Sequence, residues 1–262
     1  MQSVSDLLTA IDPGHGYAEF LRLPDEFMWW VRGSASDDMS ALSAPIHETN
    51  HQADFALSYT CNSDGLVRYY ADGQIHLTRL TGFNTDNYSI VSETYPPGLK
   101  TSRALRFDLY IAVAARFNGN RFDALLDELN AYSGAADFEL KLLASSYSYL
   151  LGNVSASDGG AGGMVDFMLF FQSYLKSARL NHPSSMVTIQ ASTQTLAYLQ
   201  FAWTRAERIL LATYPYSTSA GGPQVVPADV IAEIYSEPFL AELDALGITH
   251  KRAGDWSATY LR

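Results

Sequence analysis

A mainly helical α+β fold is what this 262-residue chain predicts, on three observations. Apolar residues recur at helical spacing through most of the chain beyond residue 100. Residues 66–78 instead carry two β-rich runs around an Asp-Gly pair, the strongest short-range hairpin signal. Hydrophobic residues make up 47% of the chain and charged residues 17%, enough to bury one core. Residues 1–262 are therefore expected to form a single domain, with 1–157 and 164–262 as possible sub-structures.

Taken in order, Val4 to Ile11 reads as a short helix stopped by Asp12-Pro13-Gly14-His15-Gly16, and Asp25 to Val31 as another stopped near Gly33. A longer helix should run to about Ser58, with Ser43 as its N-cap and Pro45 in its first turn, where a missing N–H costs little. Ile46, Asn50, Ala53 and Leu57 share its expected inner face. The hairpin follows: Leu66 to Tyr70, the turn at Asp72-Gly73, then Gln74 to Thr78. Thr81 to Thr94 would add a further strand before Pro96-Pro97-Gly98. Helices are expected over Arg103–Phe117, Phe122–Tyr132 and Phe138–Leu151, with Gly134 breaking the last two apart. Asp158 to Gly163 reads as a hinge. Beyond it come Met164–Leu180, Ser185–Ala212, a loop at Gly221-Gly222-Pro223, and two shorter helices, Ala228–Tyr235 and Phe239–Leu246.

The formal charge of −11 repels phosphate backbones and argues against nucleic-acid partners. No run approaches the roughly 18–20 apolar residues of a membrane span, so insertion is not expected. The longest apolar stretch, Met164 to Phe171, is interrupted by Asp166. Cys61 is the single cysteine and can form neither an internal disulfide nor a multi-cysteine metal site. The first residues lack the basic and apolar regions of a leader, consistent with a cytoplasmic protein or an exported one whose leader has been removed. The sequence does not fix the oligomeric state.

The chemistry is concentrated in His47-Glu48-Thr49-Asn50-His51. Two histidines four apart project from one face of a helix, a turn from each other, where both imidazoles can reach one zinc ion. Glu48 then lies beside the ion, placed to take a proton from an activated water. At average residue frequencies such a pentapeptide arises by chance in on the order of one chain in a hundred of this length. Its setting therefore matters: a helix-starting proline precedes it and a helical apolar period follows.

In these residues the chain resembles the zincin metallopeptidases, whose hallmark is a helix bearing the HExxH pattern. The resemblance covers five residues and their helical setting, and no specific family is identified. It implies a zinc cofactor, His47 and His51 as ligands, Glu48 as general base, and a peptide or protein substrate. The metzincin extension is absent, since Gln52 to Leu57 supply neither the glycine nor the third histidine. In gluzincins the third ligand is a glutamate on a helix not far downstream, but no glutamate occurs between His51 and Glu93.

Glu128 is the expected third ligand, in Leu126-Asp127-Glu128-Leu129-Asn130-Ala131-Tyr132, a segment that resembles the third-ligand helix of gluzincin-like proteins. Tyr132, four residues on, shares its face and could donate a hydrogen bond to a developing oxyanion. The hairpin could offer an edge strand to an extended substrate. Glu93, Glu139 and His76 rank below Glu128 as ligands. His15, between two glycines, reads as a turn residue, and His182 and His250 lack evident partners. Asp54, three residues past His51, could orient an imidazole N–H, and Asp127 reads equally as a solvated acid. A Gly-x-Ser-x-Gly elbow and a phosphate-binding Gly-Lys loop are both missing. Two other readings stand beside the peptidase: a helical binding or scaffold protein with a vestigial or structural metal site, and a zinc hydrolase of non-peptide substrates.

Overall fold

The computed structural model describes residues 43–60, 65–80, 85–114, 116, 119–144, 160–217, 228–253 and 255. The helices expected before residue 43, together with His15, Cys61 and the 221–223 loop, lie outside the described residues. The fold is mainly helical with one small antiparallel sheet.

Helix α1 (Ser43–Thr60) carries the HExxH segment. Pro45 is buried in its first turn, as the sequence implies. Ser43 is already inside the helix, and its hydroxyl donates to Glu139 Oε1 at 2.6 Å instead of capping its own helix. The inner face passes through Ile46, His47, Asn50 and Asp54, whereas Ala53 and Leu57 are only half-buried. The stripe is therefore more polar than a hydrophobic count anticipates.

Strands β1 (Val67–Ala71) and β2 (Gln74–Thr78) pair with Ala71 opposite Gln74 and Val67 opposite Thr78. Asp72 and Gly73 between them both have positive φ, 49° and 77°, the signature of a type I′ turn. The outer edge of β1 is already engaged by side chains. Tyr70 N donates to Asp54 Oδ1, Tyr70 O accepts from Asn130 Nδ2, and Arg68 N donates to Ser58 Oγ.

Where a further strand was expected, residues 88–94 are helical: a 3₁₀ turn, Tyr88–Ile90, leads into α2 (Val91–Thr94). The alternation of Tyr88 and Ile90 mimics a strand. Asn87 decides otherwise by accepting from Ser89 N, and Val91 and Tyr95 then continue the buried helical face. Helix α3 (Pro97–Ser102) opens with Pro97. Helix α4 (Ala104–Arg106) widens into a π-helical segment, Phe107–Ala112.

Helix α5 (Phe122–Leu143) runs unbroken through Gly134, against expectation. A Cβ at Gly134 would lie 3.4 Å from Asn50 Oδ1, so the glycine sits where α1 crosses. The supposed hinge is also a correction: Gly160 to Gly163 form the buried first turn of α6 (Gly160–Asn181). A Cβ on Gly160 would come 2.5 Å from Ala136 N, and one on Gly163 would overlap the Tyr132 ring. These glycines let α5 and α6 approach backbone to backbone.

Helix α6 is buried along most of its length and forms the centre of the core, with α5 and α2 on some sides and α8 (Thr193–Ser217), α9 (Ala228–Ile234) and α10 (Glu237–Asp244) on others. The expected helix from Ser185 to Ala212 divides into α7 (Pro183–Gln190) and α8, because Ser192 Oγ accepts from Thr195 N and starts a new helix. No helix among the described residues is long and apolar enough to cross a membrane.

Candidate metal centre

Helices α1 and α5 pack face to face and bring His47, His51 and Glu128 together. The donor atoms form a small triangle. His47 Nε2 and His51 Nε2 are 3.0 Å apart, and Glu128 Oε2 lies 3.6 Å from the first and 3.5 Å from the second. The circumradius of a triangle with these sides is about 2.0 Å, close to the roughly 1.9 Å of one face of a tetrahedron built on zinc–imidazole bonds. Tetrahedral zinc would set its donors about 3.3 Å apart. The three atoms are thus spaced as the donors on one face of a zinc coordination tetrahedron would be. Glu128 Oε2 is buried and has no hydrogen-bond partner among the described residues. In the metal-free protein its counter-charge is the His51 imidazole, 3.5 Å away, whose pKa Glu128 helps to raise; a metal ion there would take the place of that proton. The donor set, two imidazoles and one carboxylate, suits zinc and leaves a fourth position open.

The two histidines differ in environment. Burial opposes charge on His51, yet Asp127, with Oδ2 at 2.7 Å from Nδ1, and Glu128 outweigh it and raise its pKa well above the ordinary value. Burial lowers the pKa of His47 well below that value, helped by the charges of His51 and Arg106. The two Nε2 atoms accordingly share one proton, with His51 the charged partner. The Asp127 contact also fixes the His51 ring: Nδ1–H donates to Asp127, and Nε2 turns towards His47 and Glu128. His47 Nδ1 has no such partner among the described residues.

Glu48 is half-buried, its Oε1 4.0 Å from His47 Nε2, outside the donor triangle but beside it. Burial raises its pKa. The His51 charge pulls it back, and the neighbouring carboxylates Glu128 and Asp127 push it up further. Tyr132 lies with its ring 4.1 Å from that of His47. Its hydroxyl accepts from Arg106 Nη1 at 2.6 Å and lies 2.7 Å from Tyr110 Oη.

The other candidates fall elsewhere. Asp54 does not contact an imidazole. It is fully buried and accepts from Tyr70 N, Asn130 Nδ2 and Asn50 Nδ2, tying α1 to β1 and α5. The orienting role expected of it belongs to Asp127. Glu139 is buried and accepts from Gly160 N at 2.8 Å, so it caps α6. Glu93 and His182 pair with each other at 2.8 Å, and His250 pairs with Asp244. His76 stacks on Phe201 with ring centres 3.7 Å apart. Arg106 and Tyr110 escaped the sequence reading. The signal for Arg106 was there: Asp166 interrupts the apolar run of α6 and is completely buried, which demands a cationic partner.

No family model, no curated protein and no solved structure matches this chain.

Proposed function

We propose that the protein is a zinc-dependent hydrolase acting on peptide bonds, with His47, His51 and Glu128 as the metal ligands. One observation carries this reading: two imidazole nitrogens and the Glu128 carboxylate oxygen converge at 3.0–3.6 Å from one another, the spacing of donors around one zinc ion. A zinc ion held there would supply a Lewis acid for the carbonyl and a water acidified towards neutrality.

The remaining work falls to the chain itself. Glu48 flanks the donors without joining them, so its carboxylate is free to accept a proton from the attacking water and return it to the leaving amine. Asp127 holds the His51 ring and increases its basicity as a ligand. Three protein donors with a fourth position open favour a catalytic site over a structural one, in which four protein ligands usually close the shell.

Substitution Glu48→Gln tests the assignment. The variant should retain zinc, measured by elemental analysis, and lose at least about a hundredfold in hydrolysis of casein and mixed unstructured peptides. His47→Ala should lose the zinc. Wild-type hydrolysis rates in the Glu48 variant would refute the mechanism, and equal zinc in the His47 variant would refute the site.

A further inference from the structure

Behind the donor triangle stand two acids in series, Asp127 and then Asp54. Asp127 Oδ2 accepts from His51 Nδ1 at 2.7 Å, which leaves Oδ1 for the opposite side. That oxygen is buried and meets no hydrogen-bond donor among the described residues. The group beyond it is Asp54, whose carboxyl is in hydrogen-bond contact with that of Asp127 and lines the same cleft. Two carboxylates are both acceptors only, so such a contact requires one of them to carry a proton.

Asp54 is the member placed to carry it. Asp127 faces the charged ring of His51, whereas Asp54 is only 3% exposed and pairs with no cation among the described residues. Arg205, one amide away, is turned to Asp72 and to the side-chain oxygen of Asn130. That contact fixes the Asn130 amide, so its Nδ2 faces Asp54 as a donor and offers no acceptor. Tyr70 N also donates to Asp54, at 2.6 Å. The other titratable neighbours that feel its charge are the phenols of Tyr69 on β1 and Tyr198 on α8. An ionised Asp54 would therefore be a second buried anion beside Asp127 with nothing to offset it. Burial, and then the Asp127 charge, raise its pKa well above the usual carboxylate range, and the Tyr70 N–H and the Asn130 amide reverse this only in part. The proton of a neutral Asp54 needs an acceptor, and Asp127 Oδ1 needs a donor. Each supplies what the other lacks.

On the zinc-site reading above, we propose that Asp54 is a positioning residue, held as a carboxylic acid whose O–H donates to Asp127 Oδ1, so that Asp127 in turn keeps His51 aligned on the metal. With both oxygens engaged, the Asp127 carboxylate cannot swing away from the imidazole, and Asp54 acts on the site only through it.

Two measurements test the proton and its effect separately. The infrared difference spectrum between metal-free wild type and Asp54→Asn, taken at about pH 8 where Asp123 has ionised, should contain a protonated-carboxyl C=O band that shifts on exchange into heavy water. Zinc affinity, read by competition with a chelator, should fall about fivefold in Asp54→Ala and stay within about twofold in Asp54→Asn, whose amide N–H replaces the O–H. In an Asp127→Ala background, adding Asp54→Ala should change the affinity by less than about twofold, because the link to His51 is already gone. The role is overturned if the difference spectrum holds no such band, if Asp54→Asn loses as much affinity as Asp54→Ala, or if Asp54→Ala costs the same with and without Asp127. A wild-type protein that shows the band but binds no zinc overturns the metal site itself, and the positioning role falls with it.

Discussion

Two glutamates on α5, Glu128 and Glu139, are eleven residues apart, three helical turns with only about 20° of offset, so they face nearly the same way. Their surroundings make them different chemical objects. Glu139 meets donors: Ser43 Oγ at 2.6 Å, Gly160 N at 2.8 Å and Ala161 N at 3.4 Å. Its charge sits at the start of α6, where exposed N–H groups and the helix dipole favour an anion. Glu128 meets imidazole nitrogens at 3.5 and 3.6 Å, and its Oε2 accepts no hydrogen bond. Buried carboxylates are read by their partners. N–H donors that saturate the oxygens mark a structural acid, whereas convergence with two imidazole nitrogens around one shared proton marks a place where a metal cation could stand in for that proton.

The sharpest test of this contrast swaps the consequences. Glu128→Ala should lower zinc affinity by more than about a hundredfold, over ~2.7 kcal/mol, as a competition titration with a chelator would read. The thermal midpoint of the metal-free protein should fall only slightly, since the substitution removes one of the two carboxylates facing the His51 charge and Asp127 remains. Glu139→Ala should do the reverse. It leaves zinc bound at wild-type stoichiometry but strips the start of α6 of its acceptor, costing about 2–3 kcal/mol and lowering the melting temperature by roughly 5–10 °C. If Glu139→Ala lost zinc and Glu128→Ala lost only stability, the two roles would have been assigned backwards.

The same pair shows what a single sequence can and cannot convey. The HExxH helix and the Asp-Gly hairpin were legible because each is a local pattern whose physics is complete within about a dozen residues. The placement of Glu128 was legible as a candidate only, since nothing local separates it from Glu139. What separates them is contact with α1 and α6, each more than fifteen residues away in the chain. The glycines misled for a related reason. Gly134 and Gly160 to Gly163 look like breaks when only the backbone's freedom is considered, but they serve close approach between helices, which no local rule registers. Asp127 took the role expected of Asp54 because helical spacing places Asp54 near His51 without saying that β1 and Asn130 claim it first.

Asp127 sharpens the contrast from outside the donor triangle. Its removal takes away the anchor of the His51 ring but none of the three donor atoms, so Asp127→Ala should weaken zinc by roughly ten- to a hundredfold, less than Glu128→Ala. Asp127→Asn keeps an acceptor for Nδ1–H and should recover part of that loss. Identical affinities for the Ala and Asn variants and the wild type would mean that the helix alone orients His51.

The weakest effect concerns a third acid on α5, Asp123, which tests whether an unpartnered oxygen alone is enough to mark a metal site. Its Oδ1 is buried without a hydrogen-bond partner, but the cleft of about 230 Å³ that it shares with Asp54, Phe55 and Ser58 holds no imidazole. With no cation to meet it, the group titrates instead. Burial, partly offset by backbone N–H groups of the first helical turn, raises its pKa to about 6. The sign follows from proton binding. Between about pH 4 and 6 the native chain holds a proton that the unfolded chain has released, so the stability linked to Asp123 is present at acid pH and is lost as pH rises through about 6. Asp123→Asn removes that dependence. Relative to wild type, the variant should gain on the order of 1–2 kcal/mol between pH 4 and 7 and level off above, in urea unfolding at matched pH, while zinc affinity stays unchanged. A flat difference across that range would show that Asp123 titrates normally and that its oxygen is wetter than the cleft suggests.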